Sequence, residues 1–320
     1  MSDRLLVLAG GLSHERDVSL RSGRRVAEAL RRVGRDVDEC DVGSELLGVL
    51  QADPPACVLP LLHGEQGEDG ALREVLELVR APYVGARPDA CRLAFDKPVA
   101  KAVVGRAGVR SATGVTLPAE TFREIGATSV MQTLVARLGL PLVVKPARGG
   151  SALGCSVVRE PEELPGAMVA CFSYGSLALV ERFVEGTEVA VTVLDRTDAD
   201  LMTLPPVQIR PDSGIYDYTA RYTAGATEFV VPAELPDDQK AACAQVATTA
   251  HRALGLRDLS RSDLIVDAEG TVWFLEVNVA PGMTETSLVP LSLDAAGLTL
   301  GAVCADLVDQ AIARSAGGSR

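Results

Sequence analysis

The sequence predicts an α/β fold on three observations. Residues 4–9 (RLLVLA) are a short apolar run ending in Gly10-Gly11, and apolar positions follow at Val18, Val26, Ala29, Leu30 and Val33 with helical spacing. This strand, glycine turn and helix make a half-Rossmann beginning. Further strand-like runs at 56–62, 141–146, 178–184 and 189–195 alternate with helical patterns. Two more, SDLIVD (262–267) and VWFLEVN (272–278), are separated only by a short turn containing Ala-Glu-Gly.

Taken in order, ACVLPLL (56–62) is a buried strand leading into HGEQGEDG, and a helix over about 70–80 is closed by Pro82. A boundary near residue 95 makes 1–95 an N-terminal Rossmann-like unit. The second unit, 96–178, carries a helix at 97–107, the Gly108-Val109 turn, a strand at 114–117, a helix at 129–138 and the strand PLVVKP (141–146). The third, 179–320, has strands at 178–184 and 189–195, a Pro-rich passage near 205–215, a helix at 237–255 and the final strand pair. Residues 210–230 hold Gly214, Asp217, Gly225 and several Thr between Pro211 and Pro232, the composition of a lid. The tail SAGGSR (315–320) reads as disordered.

Composition narrows the function. A chain of 320 residues, 47% apolar and 23% charged, is an ordinary globular protein of two or three units. Its formal charge of −12 disfavours nucleic acid or an anionic membrane as partner, while a small anionic substrate can still be met by local Arg and Lys. No apolar run approaches the roughly 18 residues of a membrane span, and the N-terminus enters a strand directly, so a cytoplasmic location is expected. The seven scattered cysteines have no CxxC pair and read as small buried hydrophobes. Of 31 basic residues only Lys97, Lys101, Lys145 and Lys240 are lysines, which makes the position of each informative.

Two segments carry chemistry. KPARGGSALG (145–154) sets Lys145 at a strand end before Gly149, Gly150 and Gly154. Glycines let backbone N–H groups approach an anion and the lysine adds a point charge, so the segment suits phosphate oxygens or is a tight hairpin between strands. It is not a GxxxxGK[ST] P-loop, because the lysine precedes the glycines. In VWFLEVN, Glu276 and Asn278 project to one side of an extended strand, Val277 and Val279 to the other. If this strand pairs with SDLIVD, Asp263 joins them as three hard oxygen donors; the alternative is a solvated polar strand face.

These residues, with others, resemble a known family. GGLSHERDVSLRSG (10–23), HGEQGEDG (63–70), PYVG (82–85), DK (96–97), KPARGGSALG (145–154), ERFVEGTE (181–188), YDYTARYTAGATEFVVPA (216–233), SRSDLIVD (260–267) and EVNVAPGMTETSLVP (276–290) resemble, in order, the motifs of D-alanine–D-alanine ligases. The resemblance implies the ATP-grasp fold behind the Rossmann-like unit. It implies that ATP phosphorylates the carboxylate of one D-alanine and that the amine of a second attacks the acylphosphate, giving a dipeptide for cell-wall precursors. A homodimer is expected, with no nucleic-acid or membrane partner. By similarity Glu15 holds the first ammonium, Ser151 and Tyr222 join it in a hydrogen-bonded cluster, and His63 lies beside the first substrate. Arg261 and the Gly282 N–H form the oxyanion site, and Ser287 with the Leu288 N–H receives the second carboxylate. For ATP, Lys97 and Lys145 contact phosphates under the loop Gly149, Gly150, Ser151 and Ala152. Glu181 with the backbone of Arg182, Phe183 and Val184 reads adenine, and Glu188 accepts from ribose. Asp263, Glu276 and Asn278 hold two Mg²⁺ (or Mn²⁺).

Three departures bear on the second substrate. Arg221 stands where the family usually carries Lys, Val279 where Thr is usual, and Ala90-Cys91 where Ala-Ser is usual. Arg keeps the charge but replaces a point ammonium with a planar fork. D-lactate or D-serine as acceptor, or a non-catalytic ATP-binding module, are the alternatives. The phenol of Tyr222 is expected to favour an amine acceptor over a hydroxyl.

Overall fold

A computed structural model describes residues 3–196, 201–212, 214–216, 220–221, 223 and 225–317. It contains three sheets. The first is parallel, in the order β2-β1-β3, from β1 (Leu5–Ala9), β2 (Val37–Asp41) and β3 (Cys57–Pro60). All five residues of β1 are buried, as a central parallel strand with two covered faces requires. Helix α1 (Arg16–Arg32) crosses between β1 and β2, and α2 (Leu46–Ala52) between β2 and β3. Past β3 come the short α3 (Glu65–Glu68), then α4 (Ala71–Leu78), whose Leu72 and Leu76 pack with Leu6, Leu8 and Val58 of the sheet, and α5 (Pro88–Phe95).

The central sheet is antiparallel, β4-β7-β5-β6: β4 (Gly114–Pro118), β5 (Leu142–Pro146), β6 (Ser156–Val158) and β7 (Leu177–Arg182). One face packs on α7 (Ala119–Ile125), α8 (Ala127–Leu138) and α9 (Leu164–Phe172) through Phe122, Leu134, Leu138, Leu142, Val144, Leu164, Met168 and Val180. The glycine loop after Lys145 joins β5 to β6 as a hairpin connection and lines a cavity.

The third sheet runs β11-β10-β8-β12-β13, with β9 also on β8: β8 (Thr187–Leu194), β9 (Met202–Thr203), β10 (Val207–Pro211), β11 (Thr227–Val230), β12 (Leu259–Val266) and β13 (Val272–Asn278). Its inner face (Val189, Val191, Val193, Leu264, Val266, Val272, Phe274, Val277) packs against α5, α6 (Lys97–Arg106) and α10 (Asp237–Ala253). The register pairs Asp263 with Glu276 and Arg261 with Asn278, then shifts by one between Asp263 and Leu264, leaving Leu275 as the extra residue of a bulge. Phe274 is therefore in the core although it lies two residues before Glu276.

Helix α11 (Leu288–Ala295) follows, and α12 (Leu300–Gly317) returns to lie on α1, where Val303, Leu307, Val308 and Ala311 join Val26 and Leu30 in one core. Gly301 is required at that crossing, since a Cβ there would stand 2.5 Å from the Ala29 carbonyl oxygen. The disorder expected for 315–320 is corrected in part: α12 extends to Gly317, and 318–320 lie outside the described residues. No single helix among the described residues is long and apolar enough to cross a membrane. All seven cysteines are free, five of them buried and Cys40 and Cys155 partly so.

Candidate active site

Two cavities meet where the sheets converge. The larger, about 490 Å³, is lined by Glu15, His63, Glu68, Ser151, Arg261, Asn278, Gly282, Ser287 and Leu288 among others. The smaller, about 160 Å³, is lined by Lys145, Ala152, Glu181, Arg182, Phe183, Val184, Glu188 and Asp263. Lys97, Gly149, Gly150, Tyr216, Arg221 and Glu276 border both. Every described residue given a substrate, nucleotide or metal role from the sequence is thus brought to this double cavity. Tyr222 lies outside the described residues. Of the three oxygen donors, Asp263 lines the smaller part, Asn278 the larger, and Glu276 both. The bulge at Leu275 sits beside this divide.

Local structure explains how each group is aimed. Asp96 caps α6, accepting from the Val99 N–H at 3.2 Å, and also holds Arg148 of the glycine loop at 2.9 Å. The helix so started directs Lys97 onto the Gly149 carbonyl (2.6 Å) and Glu276 Oε2 (3.3 Å). Lys101, one turn on, pairs with Glu181 Oε1, while Lys145 pairs with Glu181 Oε2 at 3.0 Å. Three of the four lysines therefore gather here in a chain whose formal charge is −12. Arg261 grips Asp263 with two parallel bonds, Nε to Oδ1 at 2.7 Å and Nη2 to Oδ2 at 2.8 Å.

On the other side of the larger cavity, Ser151 donates to Glu15 Oε1, so the glycine loop is tied to the turn before α1. Ser151 and Ala152 have φ of 52° and 55°, uncommon for residues with a Cβ, and Gly150 passes against the Glu15 carboxylate. Gly64, with φ of 73°, is needed twice, since a Cβ there would also stand 2.7 Å from Glu15 Oε2. His63 donates from Nδ1 to the Ala280 carbonyl at 2.8 Å, which leaves Nε2, 3.3 Å from Ser22 Oγ, as the acceptor. Ser287 precedes α11 without capping it; its hydroxyl accepts instead from the Thr284 N–H at 3.0 Å. The first-turn amides of α11 thus have no side-chain cap.

The charges shape the titration. Burial works against the Glu276 carboxylate, but Lys97, Lys145, Arg221 and Arg261 overcome it and hold the group down at about 2. Burial pushes Glu188 up to about 7, with Asp263 and Glu276 adding repulsion and Arg221 opposing. It lowers His63, which stays neutral. The Arg221 guanidinium lies over the Tyr216 ring, 4.3 Å from its centroid, where the family's usual lysine would present a point charge instead of a plane.

Two residues at the site escaped the sequence reading. Lys101 was detectable as the residue one helical turn from Lys97 in a lysine-poor chain. Glu68, inside HGEQGEDG, lines the larger cavity and accepts from the Gly64 N–H at 2.9 Å. Burial and the neighbouring Glu15 push its carboxyl up to about 8. In the unfolded chain it ionises near the ordinary 4.5, so its contribution to stability is full below that pH and is lost as pH rises toward 8. Glu68→Gln keeps the acceptor and cannot ionise. It is expected to melt higher than wild type at pH 8 and no higher at pH 4.5, and a gap independent of pH in thermal melts would count against this titration.

Comparisons with known proteins agree with this architecture. Residues 103–310 match the family model described as D-ala D-ala ligase C-terminus. A D-alanine–D-alanine ligase of Anaeromyxobacter sp. (strain K) is 40% identical over 308 residues, 96% of either chain. One from Acidiphilium cryptum (strain JF-5) is 40% identical over 314 residues, 97% of this chain and 99% of that one. Among solved structures, VanG D-Ala:D-Ser ligase from Enterococcus faecalis superposes with a TM-score of 0.82 at 27% identity, covering 97% of this chain and 100% of that one. D-alanine–D-alanine ligase from Bacillus anthracis gives 0.81 at 26%, covering 99% and 100%. With a relative this similar along almost its whole length and a site assembled from the same motifs, the chain belongs to the D-alanine–D-alanine ligase family and has its ATP-grasp fold.

Proposed function

We infer that the two cavities divide the reaction between them, the smaller taking ATP and the larger taking both amino acids. As a member of its family the chain is an ADP-forming ligase that uses ATP to join two D-alanines into D-alanyl-D-alanine. The observation that carries the division is the shared wall: Lys97, Glu276 and Arg221 border both cavities, so a terminal phosphate at that seam lies next to a carboxylate in the larger one.

Each group then has a task suited to its surroundings. Glu181 and the backbone of Arg182, Phe183 and Val184 read adenine, and Glu188 meets the ribose. Lys97, Lys145 and the amides of Gly149, Gly150, Ser151 and Ala152 hold phosphates. Glu15 receives the first ammonium beside neutral His63. Arg261, with two of its five N–H groups spent on Asp263, has three left for the developing oxyanion, joined by the Gly282 N–H. The α11 N-terminus at Ser287 and Leu288 receives the second carboxylate. Arg221 closes over the phosphate seam.

Asp263, Glu276 and Asn278 suit two Mg²⁺ or Mn²⁺ ions: all are hard oxygen donors, and Glu276 is anionic throughout the neutral range. Held by these residues, the ions would supply positive charge to offset that of the phosphates. A cytoplasmic homodimer supplying cell-wall precursors, with units at 1–95, 96–178 and 179–320, completes the reading.

Protein given ATP, Mg²⁺ and D-alanine should release phosphate and form the dipeptide by mass spectrometry. With D-serine or D-lactate supplied together with D-alanine, D-Ala-D-Ala should dominate, and a mixed product in excess would reassign the acceptor. Tyr216, Ala220, Arg221, Thr223, Gly225 and Thr227 line the larger cavity from the segment between β10 and the start of β11. Trypsin should cut within 210–230 in the free protein and much more slowly with ATP plus D-alanine. Equal cutting in both states would rule out a substrate-gated lid.

A further inference from the structure

Glu181 is a buried carboxylate held by two lysines, and the two are placed differently. Lys145 and Glu181 both line the smaller cavity, whereas Lys101 is not among its lining residues. Lys101 comes from α6, is 7% exposed, and meets Oε1; Glu181 is 3% exposed, and Lys145 meets Oε2 from the cavity side. Lys97 and Lys101 are four residues apart on α6, so a single helix face serves both Glu276 and Glu181.

If Lys145 holds phosphate, it must leave Glu181. The carboxylate is then left in a dry pocket, and Lys101 is its remaining partner. We propose that Lys101 is a positioning residue that keeps Glu181 fixed and ionised while Lys145 transfers to the nucleotide's phosphates, and that it thereby sets the preference for adenine. The proposal rests on the assignment of Glu181 to the base. A carboxylate accepts through about four lone-pair sites, so Oε2, once vacated, can accept from an exocyclic amine while Oε1 stays on Lys101. Guanine presents an oxo acceptor at the corresponding position and is repelled by an ionised carboxylate. Without Lys101 the buried acid, deserted by Lys145, would take up a proton. It would then offer a donor where adenine needs an acceptor, and the discrimination would weaken or reverse. A tie that only fastens α6 to β7 would have no such consequence.

The test is steady-state kinetics with ATP and with GTP, at saturating D-alanine, for wild type, Lys101→Gln and Glu181→Gln. For Lys101→Gln the KM for ATP should rise about tenfold or more, kcat should stay within about threefold, and the ATP:GTP preference in kcat/KM should fall at least about tenfold. A lowered melting midpoint with KM and preference unchanged would overturn the proposal. Glu181→Gln separates the two layers: if it leaves the ATP:GTP preference intact, the base assignment itself falls; if it shifts the preference and Lys101→Gln does not, only the role of Lys101 falls. Should Lys101→Gln fail to fold, the structure of the wild type with a non-hydrolysable ATP analogue decides. The Lys101–Glu181 pair must persist there and the Lys145–Glu181 pair must open, and any other arrangement overturns the proposal.

Discussion

Glu276→Gln is expected to lower kcat/KM for D-alanine-dependent phosphate release by about a thousandfold or more, even at saturating Mg²⁺. The carboxylate stands on the seam between the cavities, 3.3 Å from Lys97, with Lys145, Arg221 and Arg261 also acting on it. Glutamine keeps the shape and one acceptor but removes the charge that a hard divalent cation requires. The same variant has a signature in stability. Glu276 is held near 2 in the folded chain against an ordinary 4.5, so its ionisation stabilises the protein above 4.5, and this contribution is lost as pH falls through 2. Glu276→Gln should therefore melt below wild type at pH 7, by about 3 kcal/mol at most, with the gap narrowing on acidification. Near-normal phosphate release, measured with Mg²⁺ titrated to saturation, would remove Glu276 from the metal site.

Arg261→Lys is expected to lower kcat by about a hundredfold to a thousandfold, the cost of removing one oxyanion donor, while leaving the KM for ATP within a small factor. The substitution keeps the charge and loses the fork. A lysine can reach Asp263 or the larger cavity with its ammonium, but it cannot hold both Asp263 oxygens, at 2.7 and 2.8 Å, and still present a fixed donor beyond them. The fixed direction is what matters, because a donor that must reorganise as charge develops stabilises it less. Stopped-flow or steady-state phosphate assays would show the effect, and a kcat within about threefold of wild type would place the oxyanion elsewhere.

Much of the site was legible because its residues lie in short segments whose local structure is strongly determined. Lys145 at a strand end, the glycines after it, and the shared side of Glu276 and Asn278 could be read from the residues themselves, whereas the roles expected of the other positions came from the family resemblance. What was not legible depends on contacts between segments. Strand β2, VDECD, buries only Val37, so no apolar pattern announces it. Helix α5 packs through Pro88, Ala90, Cys91, Ala94 and Phe95, mostly small side chains that give a weak periodic signal. Helix α12 does carry apolar residues one turn apart, at Val303, Leu307 and Ala311, but its partner is α1, nearly three hundred residues earlier in the chain.

The bulge at Leu275 acts as a change of phase within one strand. Before it, even-numbered positions Val272 and Phe274 belong to the apolar interior; after it, even-numbered Glu276 and Asn278 belong to the site, and odd-numbered Val277 takes over the interior. Seven consecutive residues thereby serve two clients that strict alternation would have forced to opposite parities. The segment is consequently tolerant of exchange and intolerant of length. A conservative replacement of Leu275 leaves the phase intact, whereas its deletion rotates the acid and the amide toward α5 and α6 or else drives Phe274 out of the core. In related chains that keep the reaction, insertions and deletions should accumulate in the turns on either side of this strand and be excluded from its seven positions.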